Sequence, residues 1–188
     1  PLLPGQSLHN LLCRTQVGKL SEGTVKHVFK ALLQAVSFLH AQRIAHGDLK
    51  IENTAFRLLH PATDTAEDEE FLRRISSSAE NRADVICDAD YLRLRAVVID
   101  FGQAVYAPVV PGCTNKDCFC VPTAADPAFE RLKLRDIVQL SNMLRMMLKY
   151  VPAPVSDECM ELFGRMQLAL DNHPYSAADA LAHNWFTV

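Results

Sequence analysis

The chain has 188 residues, 49% of them hydrophobic and 22% charged, a balance that suits one globular domain with a sizeable core. A formal net charge of −3 argues against a general nucleic-acid binder, which needs a basic face to displace counterions. No apolar run reaches the roughly 18 residues that span a bilayer. The periodicity predicts a helix over 21–43, where Val25, Val28, Phe29, Leu32, Leu33, Val36 and Leu39 recur at spacings of three and four. A polar stretch follows at 46–53, then a short strand at 54–59. Over 60–90 the composition turns acidic. Asp64, Glu67, Asp68, Glu69, Glu70, Glu80, Asp84, Asp88 and Asp90 face only Arg73, Arg74 and Arg82. This reads as a solvated insert, helical around 69–75, otherwise loose and dispensable for folding.

A buried strand is expected over 92–100 from Ala96-Val97-Val98-Ile99, then an irregular stretch rich in Pro, Cys and Thr over 107–128. Three helices complete the chain: a largely buried one at 136–150, an amphipathic one at 156–170, and one at 176–184 opening on an N-cap serine. The fold class is therefore mainly α, with a pair of short strands. Six cysteines, Cys13, Cys87, Cys113, Cys118, Cys120 and Cys159, fit disulfides or reduced thiols alike. Cys113, Cys118 and Cys120 have poor zinc spacing and no evident fourth ligand. No signal peptide is visible in these residues, and localisation stays open.

Two motifs carry chemistry. His46-Gly47-Asp48-Leu49-Lys50-Ile51-Glu52-Asn53 resembles the protein-kinase catalytic loop H-R-D-L-K-x-x-N, and Asp100-Phe101-Gly102 matches D-F-G. They occur in the family's order, after an amphipathic helix and around a strand pair. Leu3-Pro4-Gly5-Gln6-Ser7-Leu8-His9-Asn10-Leu11-Leu12 looks like the kinase hinge running into its first C-lobe helix. Asp136-Ile137-Val138-Gln139-Leu140-Ser141 resembles D-x-W-S-x-G, and the run from Pro174 to Phe186 resembles the family's closing R-P-T-A-x-E-A-L-x-H-P-W-F. The resemblance implies a kinase C-terminal lobe over 1–188, from hinge to final helix. It carries the acidic insert at 60–90 and lacks the N-terminal lobe.

Phosphoryl transfer needs positioning and charge neutralisation more than covalent help, which explains the residue types. By resemblance Asp48 orients the acceptor hydroxyl and takes its proton, and Lys50 contacts the transferring phosphate, a mark of Ser/Thr kinases. Asn53 and Asp100 hold Mg2+, Ala55 and Ile99 floor the adenine of ATP, His46 and Phe101 stack in the hydrophobic spine, and Asp136 braces the loop. The implied activity is transfer of the ATP γ-phosphate to Ser or Thr of a protein substrate once an N-lobe is present. The chain alone is expected to be inactive and to bind magnesium-ATP weakly. The alternative is a pseudokinase scaffold, with a protein partner possible at the acidic insert.

The sequence departs from the family pattern in three places. Gly47 replaces the arginine that in many kinases pairs with a phosphorylated activation segment, so that switch lacks its acceptor. No clear A-P-E follows D-F-G: Val121-Pro122-Thr123 and Asp126-Pro127-Ala128-Phe129-Glu130 are the candidates. His173 stands where the A-P-E glutamate's arginine partner belongs, so the buried ion pair is either abandoned at both ends or reduced to Glu130 with His173. H-G-D resembles both Bub-like and apicomplexan rhoptry-type kinases, and the subfamily stays open.

Overall fold

A computed structural model describes residues 7–59, 66–76, 85–108, 126–171 and 173–187. Ser7 caps the first helix, α1 (Leu8–Cys13), by accepting the Asn10 N–H. Ser21 does the same for α2 (Glu22–Ala41) through the Thr24 N–H. The expected stripe of α2 is the one buried, from Val25 to Val36. β1 (Ile44–Ala45) leads into the 46–53 loop, which ends in a 3-10 turn at Ile51–Asn53 and enters β2 (Thr54–Leu58). Next come α3 (Ala66–Ser76), α4 (Asp88–Leu92), β3 (Leu94–Val98) and β4 (Val105–Tyr106).

The strands form two antiparallel pairs. β2 meets β3 with Thr54 opposite Val98 and Leu58 opposite Leu94, and β1 meets β4 with Ala45 opposite Val105. Alternation along β2 and β3 turns Thr54, Phe56, Leu94, Ala96 and Val98 into the core, where each is buried. The opposite face carries Ala55, Arg57, Arg95 and Val97.

The central helix α5 (Pro127–Leu148) begins nine residues before the expected 136, with Asp126 accepting the Ala128 N–H and Pro127 in the first turn. α6 (Asp157–Gln167) starts behind Ser156 and runs into a 3-10 turn at Leu168–Leu170. α7 (Ala177–Leu181) starts in a capping box between Ser176 and Asp179. The chain then closes on a 3-10 turn at Asn184–Phe186. Glu22, in the first turn of α2, joins three segments. Its carboxylate accepts the Ser156 N–H at 2.9 Å, the Ser156 hydroxyl, and the Trp185 indole N–H at 2.6 Å. Burial alone would raise the Glu22 pKa, but these donors outweigh it and hold the group below its ordinary value.

The expectation of a solvated, dispensable insert is corrected over its described residues. Phe71, Ile75 and Ile86 are all buried in the main core. The Arg14 guanidinium donates to the carbonyls of Arg74 at 2.7 Å and Ile75 at 2.9 Å, closing the end of α3. Arg74 forms a two-pronged ion pair with Asp90, which also accepts the Cys87 N–H at 2.8 Å. Asp88 accepts the Ser21 N–H at 2.8 Å, and the hydroxyls of Tyr91 and Thr15 lie 2.8 Å apart. The physical reason is that a few apolar and paired charged groups face inward, while Glu67, Glu69 and Glu70 carry the exposed charge.

Cys13 and Cys87 are free and exposed; Cys159 is free and buried, its thiol pushed up to about 12 by desolvation. The Cys113–Cys120 cluster, Val121-Pro122-Thr123 and the hinge residues before Ser7 lie outside the described residues. Glu130 forms its ion pair with Lys133, at 2.7 Å, so the second A-P-E candidate serves as the first turn of α5. No helix among the described residues is long and apolar enough to cross a membrane.

Candidate active site

The 46–53 loop has few apolar side chains to anchor it, so its shape depends on where its main-chain groups find partners. The fully buried Asp136 of α5 supplies two. Its Oδ2 accepts the His46 N–H and its Oδ1 the Gly47 N–H, both at 2.8 Å. His40, at the end of α2, places Nε2 2.9 Å from the same Oδ2. Three residues along α5, the Gln139 amide accepts the Leu49 N–H and donates to the Gly47 carbonyl, both at 3.0 Å.

Within this frame Asp48, Lys50 and Asn53 are brought together directly. Lys50 Nζ lies 2.6 Å from Asp48 Oδ2. Asn53 Nδ2 donates to the same oxygen at 3.0 Å and to the Asp48 carbonyl at 2.9 Å. The Lys50 hydrogen bond, with Asn53 adding to it, holds Asp48 below its ordinary pKa. In return Asp48, then Glu52 and Asp100, hold Lys50 above its own. Asp48 is ionised and Lys50 protonated at neutral pH.

Asp100 approaches from the far side of the hairpin. Its backbone adopts φ 62°, the left-handed region, and its Oδ1 accepts the Gly102 N–H at 3.2 Å. Two bonds tie the strand end to the loop: the Ile99 N–H to the Asn53 carbonyl and His46 Nε2 to the Ile99 carbonyl, both at 3.0 Å. The His46 ring packs against Phe101 with centroids 5.0 Å apart. Ala55, buried beside its bridge partner Ser7, and half-buried Ile99 share the face of the hairpin turned away from the core.

The donor set fits a hard cation that arrives with phosphate. Because Asn53 Nδ2 is committed to Asp48, its Oδ1 remains as an acceptor, and the Ile99 N–H bond to the Asn53 carbonyl ties this residue to the strand end that precedes Asp100. Among the described residues, no cluster of three or more His, Cys, Asp and Glu side chains is arranged to hold a metal unaided.

Gly47 is the position in the loop where an added side chain is strained and crowded. Its φ is +80°, and a Cβ would sit 2.8 Å from the Gln103 carbonyl oxygen. The segment after D-F-G therefore closes onto the loop through space that an arginine would fill.

No family model matches the chain. The serine/threonine-protein kinase SRK2J of Arabidopsis thaliana is 25% identical over 190 residues, covering 92% of this chain and 50% of the relative. SRK2A from the same plant is 26% identical over 200 residues, with 97% and 49% covered. The chain thus spans about half the length of the curated relatives it matches. Among solved structures, a crystal structure of the Rad53 kinase domain and SCD2 superposes with a TM-score of 0.60, at 15% identity, over 99% of this chain and 63% of the other. The chain has the protein-kinase fold.

Its mainly helical make-up with two short strand pairs is consistent with the C-terminal lobe of that fold. The loop, D-F-G and Asp136 are joined by hydrogen bonds and ring packing, and α3 and α4 fall between the two strands of the hairpin. Three contributors to this kinase lobe escape the motif reading: His40, Gln103 and Gln139. Gln139 left a trace in the sequence, as a long amide where D-x-W-S has serine. His40 and Gln103 left none, because their roles exist only through contacts distant in the chain.

Proposed function

We propose that the whole protein carrying this lobe is a serine/threonine protein kinase, its nucleotide site completed by an N-terminal lobe. The observation that carries the reading is the Asp48 carboxylate, held ionised by Lys50 and Asn53 on a loop fixed from α5. A carboxylate held below its ordinary pKa is a weak base, so it orients the acceptor hydroxyl first and takes its proton late. The hydroxyl oxygen bonds to the γ-phosphorus, the bond from that phosphorus to the β-phosphate oxygen breaks, and ADP leaves. Lys50, protonated, faces the charge that develops on the transferring group. Asp100 and Asn53 Oδ1 would hold magnesium, which supplies charge neutralisation to the phosphates. Ala55 and Ile99 would floor the adenine.

The test is Asp48→Asn in the full-length protein. Turnover on Ser/Thr peptides is expected to fall roughly 100- to 10,000-fold, the usual contribution of a positioned proton acceptor, with magnesium-ATP affinity retained. Unchanged turnover would refute the assignment, and a wild-type protein that labels neither itself nor generic substrates would favour the pseudokinase scaffold. The purified lobe alone should show no measurable magnesium-ATP binding by isothermal titration, because the phosphates lack a clamp from above. Micromolar affinity would overturn the need for a second lobe.

A further inference from the structure

The kinase pattern accounts for one of the two side chains that α5 presents to the loop, Asp136, and leaves Gln139 unexplained. Asp136 holds the N–H groups of His46 and Gly47, which belong to peptide units before those that adjoin Asp48. Gln139 grips the Gly47 carbonyl and the Leu49 N–H, and these lie in the two peptide planes joined directly at the Asp48 Cα. Each residue has only two soft backbone dihedrals, so holding both adjoining planes fixes φ and ψ of Asp48 and with them the direction of its side chain. Both partners are main-chain groups with fixed roles, so the orientation of the amide is settled by its environment. A serine hydroxyl at this position can also donate and accept, but it ends two atoms short of the glutamine amide.

We propose that Gln139 is a positioning residue for Asp48, an amide clamp that aims the carboxylate at the acceptor hydroxyl through the main chain. The proposal rests on the kinase reading above. A Cβ at Gly47 would meet the Gln103 carbonyl oxygen at 2.8 Å, so among the described residues it is the α5 side chains that hold this stretch of the loop.

Two variants of the full-length protein test it. Gln139→Glu keeps size and still accepts the Leu49 N–H, but opposes the Gly47 carbonyl with a second acceptor. Gln139→Ser withdraws from both. In each, kcat on a Ser/Thr peptide is expected to fall roughly 10- to 100-fold, as an ångström-scale misplacement does, while the KM for ATP stays at the wild-type value. Hydrogen exchange at the Leu49 amide in Gln139→Ser should quicken about tenfold, the loss of one net hydrogen bond. In an Asp48→Asn background, Gln139→Glu should add no further loss of turnover. Wild-type kcat in both variants, or an equal fold loss in the Asp48→Asn background, would overturn the clamp. Should Asp48→Asn itself leave turnover intact, the kinase reading fails instead. Exchange at Leu49 then decides the clamp alone: wild-type exchange rejects it and faster exchange upholds it.

Discussion

The 46–53 loop and the acidic insert are both polar, charge-rich stretches, and both combine apolar anchors with hydrogen bonds, in different proportions. The loop is fixed by hydrogen bonds to main-chain groups from Asp136, Gln139 and Asn53. The insert is held mostly by apolar plugs, Phe71, Ile75 and Ile86, with a shielded ion pair between Arg74 and Asp90 and hydrogen bonds through Arg14 and Ser21. Hydrogen bonds are directional and set angles, whereas apolar burial sets only attachment.

Breaking the loop's frame should have the largest effect. Asp136→Ala leaves the His46 and Gly47 N–H groups and His40 without their buried partner. About 3–5 kcal/mol of stability should go, and, on the proposed function, the turnover of the full-length protein with it, as read by chemical denaturation beside a kinase assay. Phe71→Ala should cost about 3 kcal/mol through the cavity it opens. The molecules that stay folded should keep wild-type kcat, and a fall in kcat would show that the insert also aims the site.

Asp90→Asn should cost about 2 kcal/mol at neutral pH, the scale of a hydrogen-bonded charge. Burial would raise the Asp90 pKa, but Arg74 and the Cys87 N–H outweigh it and hold it below 3.8. The stabilisation is therefore complete above the unfolded value and drains as pH falls through the lower folded one. Below about pH 4, wild type should lose stability more steeply than Asp90→Asn, which parallel acid titrations followed by circular dichroism will show. Gly47→Ala is the smallest change, expected at about 1–2 kcal/mol for the left-handed backbone. The methyl also displaces Gln103, so a fall in kcat beyond the stability loss would place that contact in the aim of the loop.

Much of this division was legible in the residues. The α2 stripe, the loop, D-F-G and the strand pair between them all follow from local pattern. The packing of the insert did not. Phe71 and Ile75 lie four apart on a helix whose remaining positions are mostly charged, and only the Arg14 and Asp90 contacts reveal that this narrow stripe is docked. The early start of α5 was written plainly in Asp126-Pro127, a good cap and first-turn pair. It was outweighed by reading those residues as part of an activation segment. β1 and β4 are two residues each, too short for alternation to register, and they exist because Arg43 and Ala107 close the pair across the chain.

The hairpin of β2 and β3 also has a history within each folding event. Leu58 and Leu94 are direct partners, yet residues 59–93 lie between them, so a pairing that is usually among the earliest becomes a long-range encounter. Loop closure over that span slows the meeting, since its entropy must be met before any strand bond forms. If α3 docks against Arg14, and Ile86 behind it, before the strands meet, the free span between them is shortened. The insert is thereby a candidate nucleus: Ile75→Val should slow refolding more than it speeds unfolding, while the same trim at Val98 should act mainly on unfolding.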